Sequence, residues 1–335
     1  YSTKFEADPD TAGDWTQYTT QPADNATFAT AKAALLAGLN DTDATAETRG
    51  TLPLSLKMVR TTSAAATDLL LDTYTGAAAA YSVRKLDKDY TGSCMRVRED
   101  SGDTETDIGF DSNGDLDTSA IATHCGSANG YVVTWYDQSG NSNNATQSTS
   151  GNQPQIYNGT AVITENGKAA IKSFSKNLAA SIALSAFHTS NNTSVSFVYT
   201  DTQATTFKVA WGHSAISGGS LEYGYWTARA NTNLVYELRE QTGFARPSGY
   251  QNAQHGVFLT NGGTQCEFYM DSSLLGTKSN MNCTNSTGTF YLGTSGYALP
   301  FSGYFQEFIV WPENNQSNRT GIESDINTYF SIYTP

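Results

Sequence analysis

Charge is scarce in this chain: only 15% of its 335 residues are Asp, Glu, Lys or Arg, against about 25% in an ordinary soluble domain. The surface must therefore be furnished by Ser, Thr, Asn, Gln, Gly and Tyr, the composition of extracellular and virion β proteins. Positive charge is scarcest, with 19 basic against 32 acidic residues and a net charge of −13. A chain of that sign repels phosphate backbones, which excludes nucleic acid as a partner and disfavours anionic membranes. No run of 18 apolar residues occurs, so no membrane-spanning helix is expected. No signal peptide is visible, and the chain opens on Tyr1 rather than Met, so we expect a segment removed or left out ahead of it.

Cysteine is also sparse, and none of Cys94, Cys125, Cys266 and Cys283 forms a C-x-x-C pair. That argues against a zinc site. Cys266 and Cys283 flank a hairpin pattern and Cys94 and Cys125 another local unit, so both pairs are disulfide candidates in an oxidising compartment, with buried free thiols as the alternative. His124, His188, His213 and His255 show no ligand spacing. Ser139 lacks the G-x-S-x-G setting of a nucleophile elbow. There is no internal repeat.

What is present divides in two. Residues 1–66 hold a helical stretch at 27–39 and an alternating strand at 52–59, with too few large apolar side chains for a core; we read an arm or docking segment. Residues 67–335 form the main domain. A second helical patch is expected over 64–80, with Leu69, Leu70 and Leu71. Short strands follow at 94–97, 131–136, 195–199, 207–211, 234–238, 256–259, 266–270, 289–292 and 305–311, separated by Asn, Gly, Ser and Asp. That rhythm indicates an all-β sandwich or barrel. Ile322, Ile326 and Phe330 repeat at spacing four, so residues 319–330 form a helix covering one sheet.

Three stretches resemble the concanavalin/laminin-G jellyroll family. Asp137-Gln138-Ser139-Gly140-Asn141-Ser142-Asn143-Asn144 is similar to its D-x-S-G-N-x-N-N turn. Tyr269-Met270-Asp271-Ser272 resembles its Y-x-D-G hairpin. Leu292-Gly293 followed by Phe301-Ser302-Gly303 and Glu307 resembles its last strand pair. The resemblance covers roughly 75–335 and implies a concanavalin-like β-sandwich (jellyroll) with a small helical N-terminal arm. It says little of function, because the fold hosts lectins, adhesins, hydrolases and virion proteins.

A narrower likeness joins Tyr81-Ser82-Val83-Arg84-Lys85-Leu86, Tyr90-Thr91-Gly92 and the Tyr136–Gly140 stretch. These look like the catalytic domain of jellyroll arabinofuranosidases, and equally like domains of phage and marine-virus structural proteins. A retaining glycosidase needs two carboxylates about 5 Å apart. The resemblance puts Glu222, in Gly219-Ser220-Leu221-Glu222-Tyr223, at the family's nucleophile. It puts Tyr297 where the acid stands, after Leu292-Gly293-Thr294-Ser295-Gly296, and a phenol with pKa near 10 is a poor acid for that task. The family's vicinal cysteine pair is absent too.

Two further sites are candidates. Asp111, Asn113, Asp115 and Asp117 alternate as calcium ligands do, though Gly114 and Ala122 break the EF-hand pattern; calcium is the one cofactor considered. Tyr223, Tyr225, Trp226 and Tyr297 are candidates for stacking on sugar rings. With the acid missing, the leading expectation is a non-enzymatic structural protein of a virion surface: a phage-type decoration, fibre or adhesin, oligomeric, bound to other virion proteins and to cell-surface glycans. The alternatives are a secreted arabinofuranosidase-like hydrolase and a free extracellular lectin module.

Overall fold

The computed structural model describes residues 4–6, 15–17, 68–174, 176–180, 192–202, 208–213, 223–229, 233–238, 240–245, 247, 249–262, 265–279, 289–293 and 301–334. The chain divides into two compact units, Tyr1–Thr67 and Asp68–Pro335. In the first, β1 (Lys4–Glu6) pairs antiparallel with β2 (Trp15–Gln17). The helix expected at 27–39 and the strand at 52–59 lie outside the described residues.

The second unit opens with α1 (Leu70–Thr73), then β3 (Ala79–Ser82), β4 (Met95–Glu99), β5 (Glu105–Ile108) and α2 (Thr118–Cys125). Next come β6 (Asn129–Trp135), β7 (Ala145–Thr146), β8 (Gln155–Asn158), β9 (Thr164–Glu165), β10 (Lys168–Ala169), β11 (Ile171–Phe174) and β12 (Leu178–Ala180). The longer strands follow: β13 (Thr193–Asp201), β14 (Lys208–His213), β15 (Tyr223–Arg229), β16 (Asn233–Leu238), β17 (Glu240–Ala245) and β18 (Gln254–Gly262). β19 (Gln265–Met270), β20 (Ser273–Ser279), β21 (Phe290–Leu292), β22 (Ser302–Trp311) and α3 (Arg319–Phe330) complete it.

Antiparallel pairing makes two large sheets. One runs β20-β19-β18-β13-β22, and β22 takes both β3 and β11 on its far edge. The other runs β5-β4-β6-β7-β12-β21-β14-β15-β16-β17. β8 pairs with both β6 and β11 and so stitches the two sheets together. This is the β-sandwich expected from the strand rhythm.

The core lies where the sheets face. Phe197 and Phe308 from the first meet Trp211 and Phe290 from the second, with ring centroids 5.3 Å apart for Trp211–Phe308 and 5.1 Å for Phe290–Phe308. All nine residues of β13 are buried. Its alternate face carries Ser194, Ser196, Val198 and Thr200, so this strand is covered on both sides. α3 packs on β18 and buries Ile322, Ile326 and Phe330, as their spacing of four requires.

The helical patch expected over 64–80 is corrected. Among its described residues only Leu70–Thr73 is helical, and Ala79–Ser82 is a strand. Tertiary pairing overrides alanine's helix propensity here. Ala79 and Ala80 pair with Val310 and Ile309, and the carboxylate of Asp137 accepts the N–H of Ala80 at 2.8 Å. Both alanines are completely buried.

Candidate active site

The turn after β6 proves to be a clasp. Asp137 Oδ1 accepts from Ala80 and Ser139, while Oδ2 accepts from the Ser139 hydroxyl and the Asn143 N–H. The side-chain amides of Asn141 and Asn143 donate to the carbonyls of Ala77 and Ala78. Gln138 donates to the carbonyls of Ser82 and Arg84 and accepts from Leu86 N–H. These bonds close the turn on itself and tie it to β3 and the residues flanking it. The D-x-S-G-N-x-N-N motif is thus used structurally.

The last-strand motif positions a loop. Gly293 N–H donates to Ala210 O at 2.6 Å, and Phe301 N–H donates back to Gly293 O at 2.9 Å. Gly293 and Phe301 are therefore held together at the end of β21. Gly293 has φ +91°, and a Cβ there would lie 2.4 Å from Lys176 O and 2.5 Å from Ser173 Oγ. Gly303 is equally constrained, with a Cβ 1.9 Å from Thr200 O. We expect Gly293→Ala to cost about 1–3 kcal/mol from its backbone conformation alone, with the clash added. A urea midpoint unchanged from the parent protein would contradict this.

Register defines the solvent face of this sheet. Thr146 pairs with Ala179, Ala179 with Tyr291, Tyr291 with Gly212, Gly212 with Gly224 and Gly224 with Glu237. Their neighbours Leu178, Phe290, Leu292 and Trp211 are buried in the core, whereas Ala179 and Tyr291 are half-exposed and Thr146 is exposed. Tyr291 thus stands on the outer face, which the apolar alternation of Phe290 and Leu292 already signals. Further along, Arg96 holds Asp107 through two bonds of 2.8 Å, and Tyr136 donates to the same carboxylate at 2.6 Å. The guanidinium above all holds the Asp107 carboxyl below its ordinary range.

Glu222 and Tyr297, the proposed nucleophile and the residue at the acid position, both lie outside the described residues. Glu222 immediately precedes β15, whose first residue Tyr223 pairs with His213. Tyr225 pairs with Trp211 and Tyr236, and Trp226 with Val209 and Val235.

The calcium candidates do not converge. Asp111 Oδ1 accepts the N–H groups of Asn113 and Asp115 in a local turn. Asp117 caps α2 through Ala120 N–H, and the Ser119 hydroxyl foremost holds its carboxyl below the ordinary range. Asp115 faces Lys168 Nζ at 3.4 Å. Among the described residues the carboxylates close enough to share one cation are instead Asp72, Asp87 and Asp89, and Asp72 is already bonded to Lys88.

The Cys94–Cys125 pairing is corrected: both are separate buried thiols. Cys94 donates to Ser82 O at 3.2 Å, and burial pushes the Cys125 thiol up to about 11. Cys266 is buried in β19, and Cys283 lies outside the described residues. His255 is structural, its two ring nitrogens facing Asp271 Oδ2 at 2.7 Å and Tyr250 O at 2.9 Å.

Arg84, in the Tyr81–Leu86 string, serves a structural role. It is buried, with Nε 2.8 Å from Glu307 and Nη1 2.7 Å from Asp325. Its guanidinium lies over the rings of Tyr329 and Phe330, so it pins α3 to the sandwich.

Residues 67–234 match the family model "Alpha-L-arabinofuranosidase B, catalytic". Among solved structures, the chain is similar to an arabinofuranosidase complexed with arabinofuranosyl-α-1,2-xylobiose, at 18% identity and TM-score 0.63. It is also similar to a GH54 α-L-arabinofuranosidase soaked with a cyclic sulfate inhibitor, at 16% identity and TM-score 0.60. Each likeness covers 77% of this chain and 64% of the other, so the chain spans less than two thirds of those proteins. No curated protein matches. These findings overturn the expectation of a non-enzymatic structural protein of a virion. That expectation rested on the jellyroll motifs, the missing acid at Tyr297, the low charge and the coreless arm, whereas the family signal extends over half the chain. The chain belongs to the arabinofuranosidase B catalytic-domain family.

Proposed function

We propose that this chain is a secreted glycoside hydrolase that releases α-L-arabinofuranosyl side groups from oligosaccharides, with Glu222 as nucleophile. The observation that carries it is the family match over residues 67–234. In this reading a Glu222 carboxylate oxygen bonds to the anomeric carbon as the glycosidic C–O bond breaks. The departing oxygen takes a proton, and water then hydrolyses the glycosyl-enzyme ester. Arabinofuranosylated xylo-oligosaccharide and arabinan are the substrates to test, beside 4-nitrophenyl α-L-arabinofuranoside. Release of arabinose supports the reading; binding of the oligosaccharides without release of arabinose from any of the three defeats it.

Tyr297 bears on which substrate is preferred. Nitrophenolate departs without a proton, whereas a sugar hydroxyl does not. A tyrosine at the acid position therefore favours aryl substrates over natural ones. Replacing it with aspartate, Tyr297→Asp, should raise turnover of the oligosaccharide by on the order of 10²-fold, the lower end of what a positioned acid contributes. The kcat/KM for the nitrophenyl substrate, which reports only formation of the glycosyl-enzyme, should change little. An equal change on both would show that position 297 does not supply the proton.

A further inference from the structure

We infer that Asn158 is an N-glycosylation site, the acceptor of an oligosaccharide from a lipid-diphosphate donor in a eukaryotic secretory pathway. The inference rests on the chain being secreted. Asn158-Gly159-Thr160 has the N-x-S/T form that the transferase requires. In the transfer, Asn158 Nδ2 bonds to the anomeric carbon of the first sugar as that carbon's bond to the phosphate oxygen breaks. The amide loses one proton and the lipid diphosphate leaves.

Asn158 closes β8, and its own side chain fixes the turn that follows. Oδ1 accepts the N–H groups of Thr160 at 3.0 Å and Ala161 at 2.9 Å. Only the carbonyl oxygen of an amide can accept, so Nδ2 is the other arm of the planar group and points away from the turn. Nδ2 makes no hydrogen bond among the described residues, and Asn158, Thr160 and Ala161 are all exposed. The backbone beneath is anchored. Ile156 and Tyr157 are buried, and Asn158 N–H donates to Ala161 O at 3.1 Å. Gly159 has φ +82°, and a Cβ there would lie 2.9 Å from Ser127 O. The acceptor nitrogen thus stands on a fixed turn open to solvent, where a bulky polar chain displaces no packed group. The other described N-x-S/T sites differ. Asn315 is only 4% exposed, and Asn318 donates its amide to Asn315 Oδ1 at 2.9 Å. Asn144 is half-buried in the clasp, its Oδ1 accepting Asp137 N–H. Asn192 leads into Thr193 and Ser194, whose buried hydroxyls donate to Trp311 O and Glu313 O.

The test is expression of the full chain through the secretory pathway of a yeast, with peptide mapping of the secreted and cell-associated protein. Peptide N-glycosidase in heavy-oxygen water converts each occupied asparagine to a labelled aspartate. Asn158 should carry the label in most copies, and Asn315 should carry none. Asn158→Gln should lose one glycan step on a denaturing gel. Thr160→Ala should lose the same step while keeping the asparagine and both of its turn bonds, and Thr160→Ser should retain it. That pair separates loss of the acceptor signal from loss of the fold. An unlabelled Asn158 in the secreted protein, or a mobility that neither Asn158→Gln nor Thr160→Ala changes, overturns the inference. Activity is read separately on 4-nitrophenyl α-L-arabinofuranoside, where all three variants should match the parent. A chain labelled at Asn158 but inactive on every arabinofuranoside upholds the modification site and defeats the hydrolase reading alone.

Discussion

Glu222→Gln should lower kcat on 4-nitrophenyl α-L-arabinofuranoside by on the order of 10⁴-fold or more, the usual cost of removing a covalent nucleophile. The amide has the carboxylate's shape but no negative charge and no free electron pair of comparable basicity. It cannot form the glycosyl ester, and it stabilises the oxocarbenium-like transition state poorly. Because the exchange is isosteric, the thermal midpoint should stay where it is. This aryl substrate isolates the nucleophile, since its leaving group needs no proton and the residue at position 297 is not called upon. Retention of more than about a tenth of the parent kcat would remove Glu222 from the mechanism. Burst release of nitrophenol at high enzyme concentration would add independent support for a covalent intermediate.

The second large effect concerns stability. Arg84→Ala should destabilise the protein by about 3–5 kcal/mol, because it leaves a buried carboxylate uncompensated. Glu307 is completely buried and receives Arg84 Nε at 2.8 Å, Nη2 at 3.2 Å and the Ser82 hydroxyl at 2.8 Å. Burial opposes the guanidinium's charge, but Glu307 and Asp325 outweigh it and keep the arginine charged at any ordinary pH. Its removal also strips the cation from the rings of Tyr329 and Phe330, so α3 loses its anchor. A domain of this size loses about 2–4 °C of Tm per kcal/mol, so a drop of roughly 10 °C is expected in a thermal melt. Replacing the fully buried partner as well, as in Arg84→Met with Glu307→Leu, should recover much of that loss, since the one carboxylate left without the guanidinium, Asp325, is partly exposed and reaches water. If Arg84→Ala melts with the parent, or the double variant is no better than the single one, the buried pair is not the anchor described here.

Residue order alone determined the fold class. Strand alternation, turn residues at short intervals and the spacing of Ile322, Ile326 and Phe330 are local signals, and the sandwich and α3 follow from them. The hairpin turn at Asp271 and Ser272, both in the left-handed region, was equally legible. The narrower family likeness was present in the strings around Tyr81, Tyr136 and Leu292. Short motifs count matching positions and carry no measure of how much of a fold is shared, so the residue at position 297 and the low charge outweighed them.

Only tertiary structure decided what the shared residues do. Asp137, Asn141 and Asn143 clasp the edge of β3 some 60 positions away in sequence, and Arg84 meets Glu307 across a separation of 223. Alanines of high helix propensity became a strand because β22 and Asp137 offered partners for their backbone. Local preferences are worth tenths of a kcal/mol per residue, whereas leaving a buried polar group unpaired costs whole ones. Long-range pairing therefore chose among the conformations that the local sequence allowed.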